Sequence, residues 1–164
     1  MSKSSVQLRV NGVEYLTGAW PMQRLLDVLR ENLKFTEVKE GCGEGECGAC
    51  SVLLDEVLVN SCLIPVCQAE GKSITTIEGL ASQGELHPVQ QAFINHGGTQ
   101  CGFCTPGIIM AVVALLKANP DPTEEQIRRS IAGNLCRCTG YTRILQSVTN
   151  AAQAVRQAKH ESLR

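Results

Sequence analysis

A basic excess is missing from this sequence. Its 15 lysines and arginines are offset by 16 acidic residues, leaving a formal net charge of -1, and the cations are scattered along the chain. A surface that neutralises phosphates needs clustered Lys and Arg, so nucleic acid is excluded as a partner. Long apolar runs are missing too. The nearest, IIMAVVALL at 108–116, falls short of the roughly 20 residues that span a bilayer and reads as a buried helix. No membrane contact is expected. The first twenty residues, MSKSSVQLRVNGVEYLTGAW, hold no apolar signal core, and Arg128-Arg129 comes far too late for a twin-arginine signal. The expected location is therefore the cytoplasm. Low-complexity tracts and internal repeats are absent, and histidine is scarce: His87, His96 and His160 form no ligand pattern and read as surface or capping residues. No catalytic acid, base or nucleophile stands out. With 43% hydrophobic and 19% charged residues, the 164 residues suit one ordinary domain or two small ones.

Two kinds of pattern divide the chain. VQLRVNGVEYL at 6–16 reads as two strands joined by Asn11-Gly12, a dipeptide that tolerates the positive φ of a tight hairpin turn. QRLLDVLREN at 23–32 places Leu25, Leu26, Val28 and Leu29 on one helical face. SVLLD and VLVN flank Asp55-Glu56 as a second hairpin, and SITTI at 73–77 supplies another β-branched strand. Beyond Gly79 the segments HPVQQAFINH, PGIIMAVVALLKA, TEEQIRRSIAG and TRILQSVTNAAQAVRQA are helical in period or propensity. Thr123 and Gln126 form a capping-box pattern, Pro120 and Pro122 break the preceding helix, and Gly133 is the expected stop of the next. The expected fold class is α+β: a small sheet domain over 1–80 and a helix bundle over 81–164, with the junction in GLASQGEL at 79–86.

Cysteine is what the sequence has in abundance. Nine thiols in a reducing compartment, an odd number, point to metal or redox chemistry rather than disulfides. EGCGEGECGAC at 40–50 places Cys42, Cys47 and Cys50 in a C-x4-C-x2-C run, with Cys62 further on; this is the plant-type 2Fe-2S spacing. Gly41, Gly43, Gly45 and Gly48 let such a loop bend sharply and bring backbone N–H groups to the sulfurs. Glu44 and Glu46 read as solvated charges. A dithiol of the thioredoxin kind at Cys47 and Cys50 leaves Cys42 and the glycines unexplained, whereas four cysteines around structural zinc remain a rival reading. The second group is Cys101-x2-Cys104 with Cys136-x-Cys138, for which spacing alone leaves zinc and 2Fe-2S open. Helices expected to start near Pro106 and Thr142 would turn positive dipole ends towards that group, which favours a site of net negative charge. The histidines give no Rieske pattern. Cys67 is the leftover thiol and reads as a small buried helix residue.

The blocks GCGEGECGACSVLLD, TQCGFCTPGIIM and GNLCRCTGY, in that order, closely resemble the iron-sulfur subunit of the molybdenum hydroxylase family, the xanthine dehydrogenase group, over roughly residues 6–155. The resemblance implies a ferredoxin-like, β-grasp N-terminal domain and a four-helix-bundle C-terminal domain, each with a 2Fe-2S cluster. It implies Cys42, Cys47, Cys50 and Cys62 as ligands of the first cluster and Cys101, Cys104, Cys136 and Cys138 as ligands of the second. It further implies that Gln100 and the Cys138 region lie against the pterin of a molybdenum cofactor. The implied partners are a large molybdenum subunit and an FAD subunit, assembled as a dimer of heterotrimers. The chain would then carry electrons singly from molybdenum to FAD in an oxidoreductase complex without binding substrate itself. The expected substrates are N-heterocycles, aromatic compounds or aldehydes, the GEGECGAC loop being more like members acting on heterocycles or aromatics than on carbon monoxide. Two alternatives are a zinc-stapled interaction module and a free-standing ferredoxin, for which the second domain has no use.

Overall fold

Asn11 and Gly12 take φ of 51° and 81°, the left-handed pair that a type I′ turn requires, and fold strand β1 (Ser4–Val10) back onto β2 (Val13–Ala19). The computed structural model in which this is seen describes residues 3–161, with side chains as far as residue 157. Side chains alternate along β1, so Val6, Leu8 and Val10 enter the core. The second hairpin forms from β3 (Ser51–Leu54) and β4 (Val57–Asn60) around Asp55-Glu56, both left-handed at 47° and 67° without a glycine. Asp55 makes this feasible by closing the turn onto the neighbouring strand: its N–H donates to Ser73 O, and its Oδ1 accepts from Ser73 N–H at 2.9 Å. Strand β5 (Ser73–Thr75) then pairs parallel with β1 and antiparallel with β3, giving one mixed sheet in the order β2-β1-β5-β3-β4.

Leu25, Leu26, Val28 and Leu29 are fully buried against this sheet, as their spacing requires. The helix is shorter than 23–32, however, and changes pitch. Helix α1 (Leu25–Asp27) runs into a π-helical turn (Val28–Asn32), where Leu33 N–H reaches back to Val28 O and Phe35 N–H to Leu29 O. Asn32 stops it by donating to Thr17 Oγ1 and Gly18 O on β2. Strand β5 ends at Thr75 rather than at 77, and a 3-10 turn (Ile77–Leu80) carries the chain away.

Four helices follow: α2 (Pro88–Asn95), α3 (Thr105–Ala118), α4 (Glu124–Ser130) and α5 (Thr142–Glu161). The IIMAVVALL segment is the buried middle of α3, and no described helix is long and apolar enough to cross a membrane. Thr123 and Gln126 close the expected capping box on α4. That helix ends at Ser130, where Ile131 N–H caps it on Ile127 O, ahead of the expected stop at Gly133. The helices share a second core built on Phe93, Ile108, Met110, Ile131, Ile144 and Val148. Leu53 belongs to this second core, although its neighbours Val52 and Leu54 belong to the first, so β3 is buried on both faces with α3 behind it.

Candidate metal centres

The first cysteine loop is held at both ends by backbone. Lys39 N–H bonds to Ala49 O at 3.3 Å, and Ser61 caps Cys50 O through both its N–H and its hydroxyl. Within the loop, Gly43, Gly45 and Gly48 adopt φ of 74°, 87° and 66°. The turns they permit aim N–H groups at sulfur. Glu44, Glu46 and Cys47 donate to Cys42 Sγ at 3.5, 3.3 and 3.4 Å, and Cys42 N–H donates to Cys47 Sγ at 3.3 Å. These donors, Glu44 N–H foremost, pull the Cys42 thiol down to about 7, whereas burial and then the neighbouring Cys50 thiol push Cys62 up to about 12. Glu44 and Glu46 project into solvent as expected.

The glycines do not all serve sulfur. A Cβ on Gly41 would lie 2.7 Å from Cys47 Sγ, the close approach foreseen from the sequence. A Cβ on Gly45 would instead strike Leu63 Cδ1 at 2.4 Å, and one on Gly48 would strike Asn134 Nδ2 and Gly133 O, each at 2.4 Å. Gly48 is therefore required by the second cysteine group as much as by the first.

In the helical half, Cys104 is the residue that caps α3, so the first turn of that helix opens directly on a thiol. Helix α5 begins at Thr142, beyond the turn 140–141. Cys101 and Cys138 meet, sulfur to sulfur, at 3.5 Å, and both are exposed. Cys104 lies beside Cys136; burial first, then that neighbour, push its thiol up to about 12. Cys136 Sγ also touches Thr139 Oγ1 at 3.2 Å. Tyr141, in a left-handed conformation at 66°, locks the loop: its hydroxyl accepts Cys136 N–H at 2.9 Å and donates to Asn134 O at 3.0 Å. Gln100 is exposed, immediately before Cys101.

The two cysteine groups touch each other through backbone. Leu135 N–H donates to Cys47 O at 3.0 Å, Asn134 Nδ2 donates to Gly48 O at 2.9 Å, and a Cβ on Gly107 would lie 2.0 Å from Gly48 O. Asn134, Tyr141 and Gly107 were not singled out from the sequence. Their signals were an asparagine and a tyrosine bracketing Cys136-x-Cys138, and a glycine inside the first turn of a strongly apolar helix.

The described cysteines are all unoxidised thiols, and eight of them stand in two groups of four. Within each group they approach in pairs, Cys42 with Cys47, Cys50 with Cys62, Cys101 with Cys138 and Cys104 with Cys136. Two paired thiol sets, the first with backbone N–H groups aimed at its sulfurs, fit the four-cysteine donor set of a 2Fe-2S cluster. Cys67 corrects the sequence reading: it is exposed on a 3-10 turn (Val66–Gln68), not buried in a helix. His87 and His96 are the N-cap and C-cap of α2, as a capping role requires, and His160 lies outside the described side chains.

Two family models divide the chain, a 2Fe-2S iron-sulfur cluster binding domain over residues 8–74 and a 2Fe-2S binding domain over 76–149. The nicotinate dehydrogenase small FeS subunit of Eubacterium barkeri is 46% identical over 93% of this chain and 98% of its own length. The xanthine dehydrogenase iron-sulfur-binding subunit of Escherichia coli O157:H7 is 49% identical over 88% of this chain and 91% of its own. Among solved structures, a chain of quinoline 2-oxidoreductase from Pseudomonas putida 86 superposes with a TM-score of 0.91 at 38% identity, covering 96% of this chain and 98% of that one. The protein belongs to the 2Fe-2S small-subunit family of the molybdenum hydroxylase, or xanthine dehydrogenase, group, and is an oxidoreductase subunit with two 2Fe-2S binding domains.

Proposed function

We propose that Cys42, Cys47, Cys50 and Cys62 hold one 2Fe-2S cluster and that Cys101, Cys104, Cys136 and Cys138 hold the other. The close pairs within each group would share one iron each. When bound, the two clusters supply one-electron storage that would link a two-electron oxidation at a molybdenum-pterin site to FAD. The chain's own residues do the rest. Glu44, Glu46 and Cys47 turn their N–H groups onto Cys42 Sγ, where they favour the thiolate a metal needs. Tyr141 takes the Cys136 N–H and so fixes the orientation of that thiol's backbone. The observation that carries the reading is the bond from Leu135 N–H to Cys47 O, which sets the backbones of the two thiol groups against each other. It brings the two cysteine groups side by side, as a relay of single electrons between them requires.

The sheet half, to about residue 80, is proposed as a β-grasp ferredoxin domain, and residues from about 81 as a four-helix-bundle domain. Gln100 and Cys138 would meet the pterin of a large molybdenum subunit, because both are exposed on the same stretch as Phe103 and Leu135, apolar side chains 46% and 58% exposed. Leu63, 57% exposed and packed on the first loop at Gly45, and Met22, 71% exposed, suit a second partner, an FAD subunit. The assembly would be a dimer of such heterotrimers in the cytoplasm. Nicotinate, xanthine and quinoline, in the names of the relatives, are all nitrogen heterocycles. A substrate of that class, oxidised in the partner subunit, is the proposal for this complex. Iron and acid-labile sulfide measured on protein from its native host should each come to about four per chain, with a red-brown visible spectrum. Zinc in place of iron would overturn the reading.

A further inference from the structure

Arg24 lies just ahead of α1, in a backbone bridge to Pro65, and sends its guanidinium to the entrance of the first cysteine loop. Nε and Nη2 donate to the two carboxylate oxygens of Asp27 at 2.9 and 2.6 Å, and Nη1 donates to Glu40 Oε1 at 2.8 Å. A guanidinium gripped in this two-sided way has little freedom to swing into solvent. Its Nη1 edge is also the edge that meets the loop. A Cβ built on Gly43 would lie 3.1 Å from Nη1 and 3.1 Å from Glu40 Oε1, so a fixed cation and a fixed anion both rest on this residue. Gly43 separates Cys42 from Glu44, whose N–H points at Cys42 Sγ. Arg24 and Glu40 are 37% and 42% exposed, so solvent weakens their fields without removing them, and both meet the loop at Gly43, the residue next to Cys42.

We propose that Arg24 sets the reduction potential of the centre on the first cysteine loop through its charge, which favours the reduced form, while that of Glu40 opposes it. This rests on the assignment of a 2Fe-2S cluster to Cys42, Cys47, Cys50 and Cys62. Reduction adds one electron and one unit of negative charge to such a centre, so a nearby cation stabilises the product and a nearby carboxylate destabilises it.

Arg24→Gln, Arg24→Lys and Glu40→Gln, each in the assembled complex, separate charge from scaffolding. Iron per chain is measured first, and each cluster is then titrated potentiometrically with electron paramagnetic resonance as the readout. Arg24→Gln should lower the potential of the first cluster, Glu40→Gln should raise it, and Arg24→Lys should return it close to the wild-type value. The second cluster should hold its potential in all three variants. Arg24→Gln and Glu40→Gln break the same ion pair, so a purely structural clamp would move both potentials in one direction; that result, or unmoved potentials, overturns the proposal. If Arg24→Gln sheds its cluster, the rise in Glu40→Gln decides, and its absence overturns the proposal equally. Wild-type complex lacking iron in the first loop would instead overturn the ligand assignment, which full iron with unmoved potentials would leave standing.

Discussion

Cys67 N–H is bonded to Pro21 O, and its side chain is left in solvent, away from the eight thiols that gather in fours. A cysteine five residues beyond a ligand, in CLIPVCQAEG, has the composition of a core position, and that is how the sequence reads it. What exposes it is the 3-10 turn at Val66–Gln68, which sends Val66 and Ala69 into the core and Cys67 out. Such a turn is too short to leave a periodic signal. Cys67→Ser should therefore keep both clusters, with iron at the wild-type ratio and both paramagnetic signals intact. Loss of either signal would mean that Cys67 is a ligand. The division of the eight other cysteines into two groups of four could be read from their order along the chain, because closely spaced thiols have few uses other than metal. The residues that support them were not. Asn134 and Tyr141 act through a side-chain amide and a phenol on backbone groups far away in sequence or across a loop, and nothing in residue type announces such a partner.

Elements follow their local signals where turn chemistry or capping is involved. Asn11-Gly12 and Thr123-x-x-Gln126 form the hairpin and the capping box that their residue types demand. Where tertiary packing decides, the signals fall short: the π-helical turn after α1 arises because Asn32 is drawn to β2 and Leu29 must stay in the core, a competition invisible to periodicity. Helix α2 shows an unusual cap. His87 Nδ1 accepts Val89 N–H at 3.2 Å, while His87 N–H donates to Gln90 Oε1 at 2.9 Å. Only the neutral ring can accept, and burial, followed by the charge of Lys117, holds the His87 pKa below its ordinary value. Because the folded pKa is depressed, protonation favours the unfolded state. Stability is complete above the ordinary histidine pKa, about 6.5, and is lost as pH falls through the depressed folded value. Hydrogen exchange should show α2 losing protection as pH falls below the ordinary histidine pKa, about 6.5. His87→Asn, which caps without titrating, should flatten that dependence, and His87→Ala should cost about 1 kcal/mol at neutral pH. A pH profile unchanged in His87→Asn would rule out the ring as its source.

At the scale of the molecule, the two halves are joined where the cysteine loops meet. Leu53 enters the helical core from the sheet, Glu56 pairs with Lys117 on α3, and Gly48 lies under both Gly107 and Asn134. Gly48→Ala forces a left-handed alanine against Gly133 O and should lower stability by about 2–5 kcal/mol. Gly12→Ala has the same conformational handicap but nothing within 4 Å of the new methyl, so it should cost only about 1 kcal/mol. Thermal loss of the cluster absorbance would read the difference; equal losses would show that the contact between the loops contributes nothing. Cys101 and Cys138 are exposed, Leu135 N–H meets Cys47 O between the two groups, and Cys50 and Cys62 are buried. On the proposed reading, the helical half faces the molybdenum subunit and the sheet half faces the flavin. Cys47→Ser changes one thiol while leaving its carbonyl free to accept from Leu135, so the assembled complex, once its subunits are verified by mass, should keep the connection and lose one centre. With substrate supplied, the signal of the helical-half centre should appear at near the wild-type rate, while flavin reduction slows by orders of magnitude. Rapid-mixing absorbance and electron paramagnetic resonance follow both events. Flavin reduced at the wild-type rate would mean that electrons do not pass through the first loop, and the direction assigned to the molecule would have to be given up.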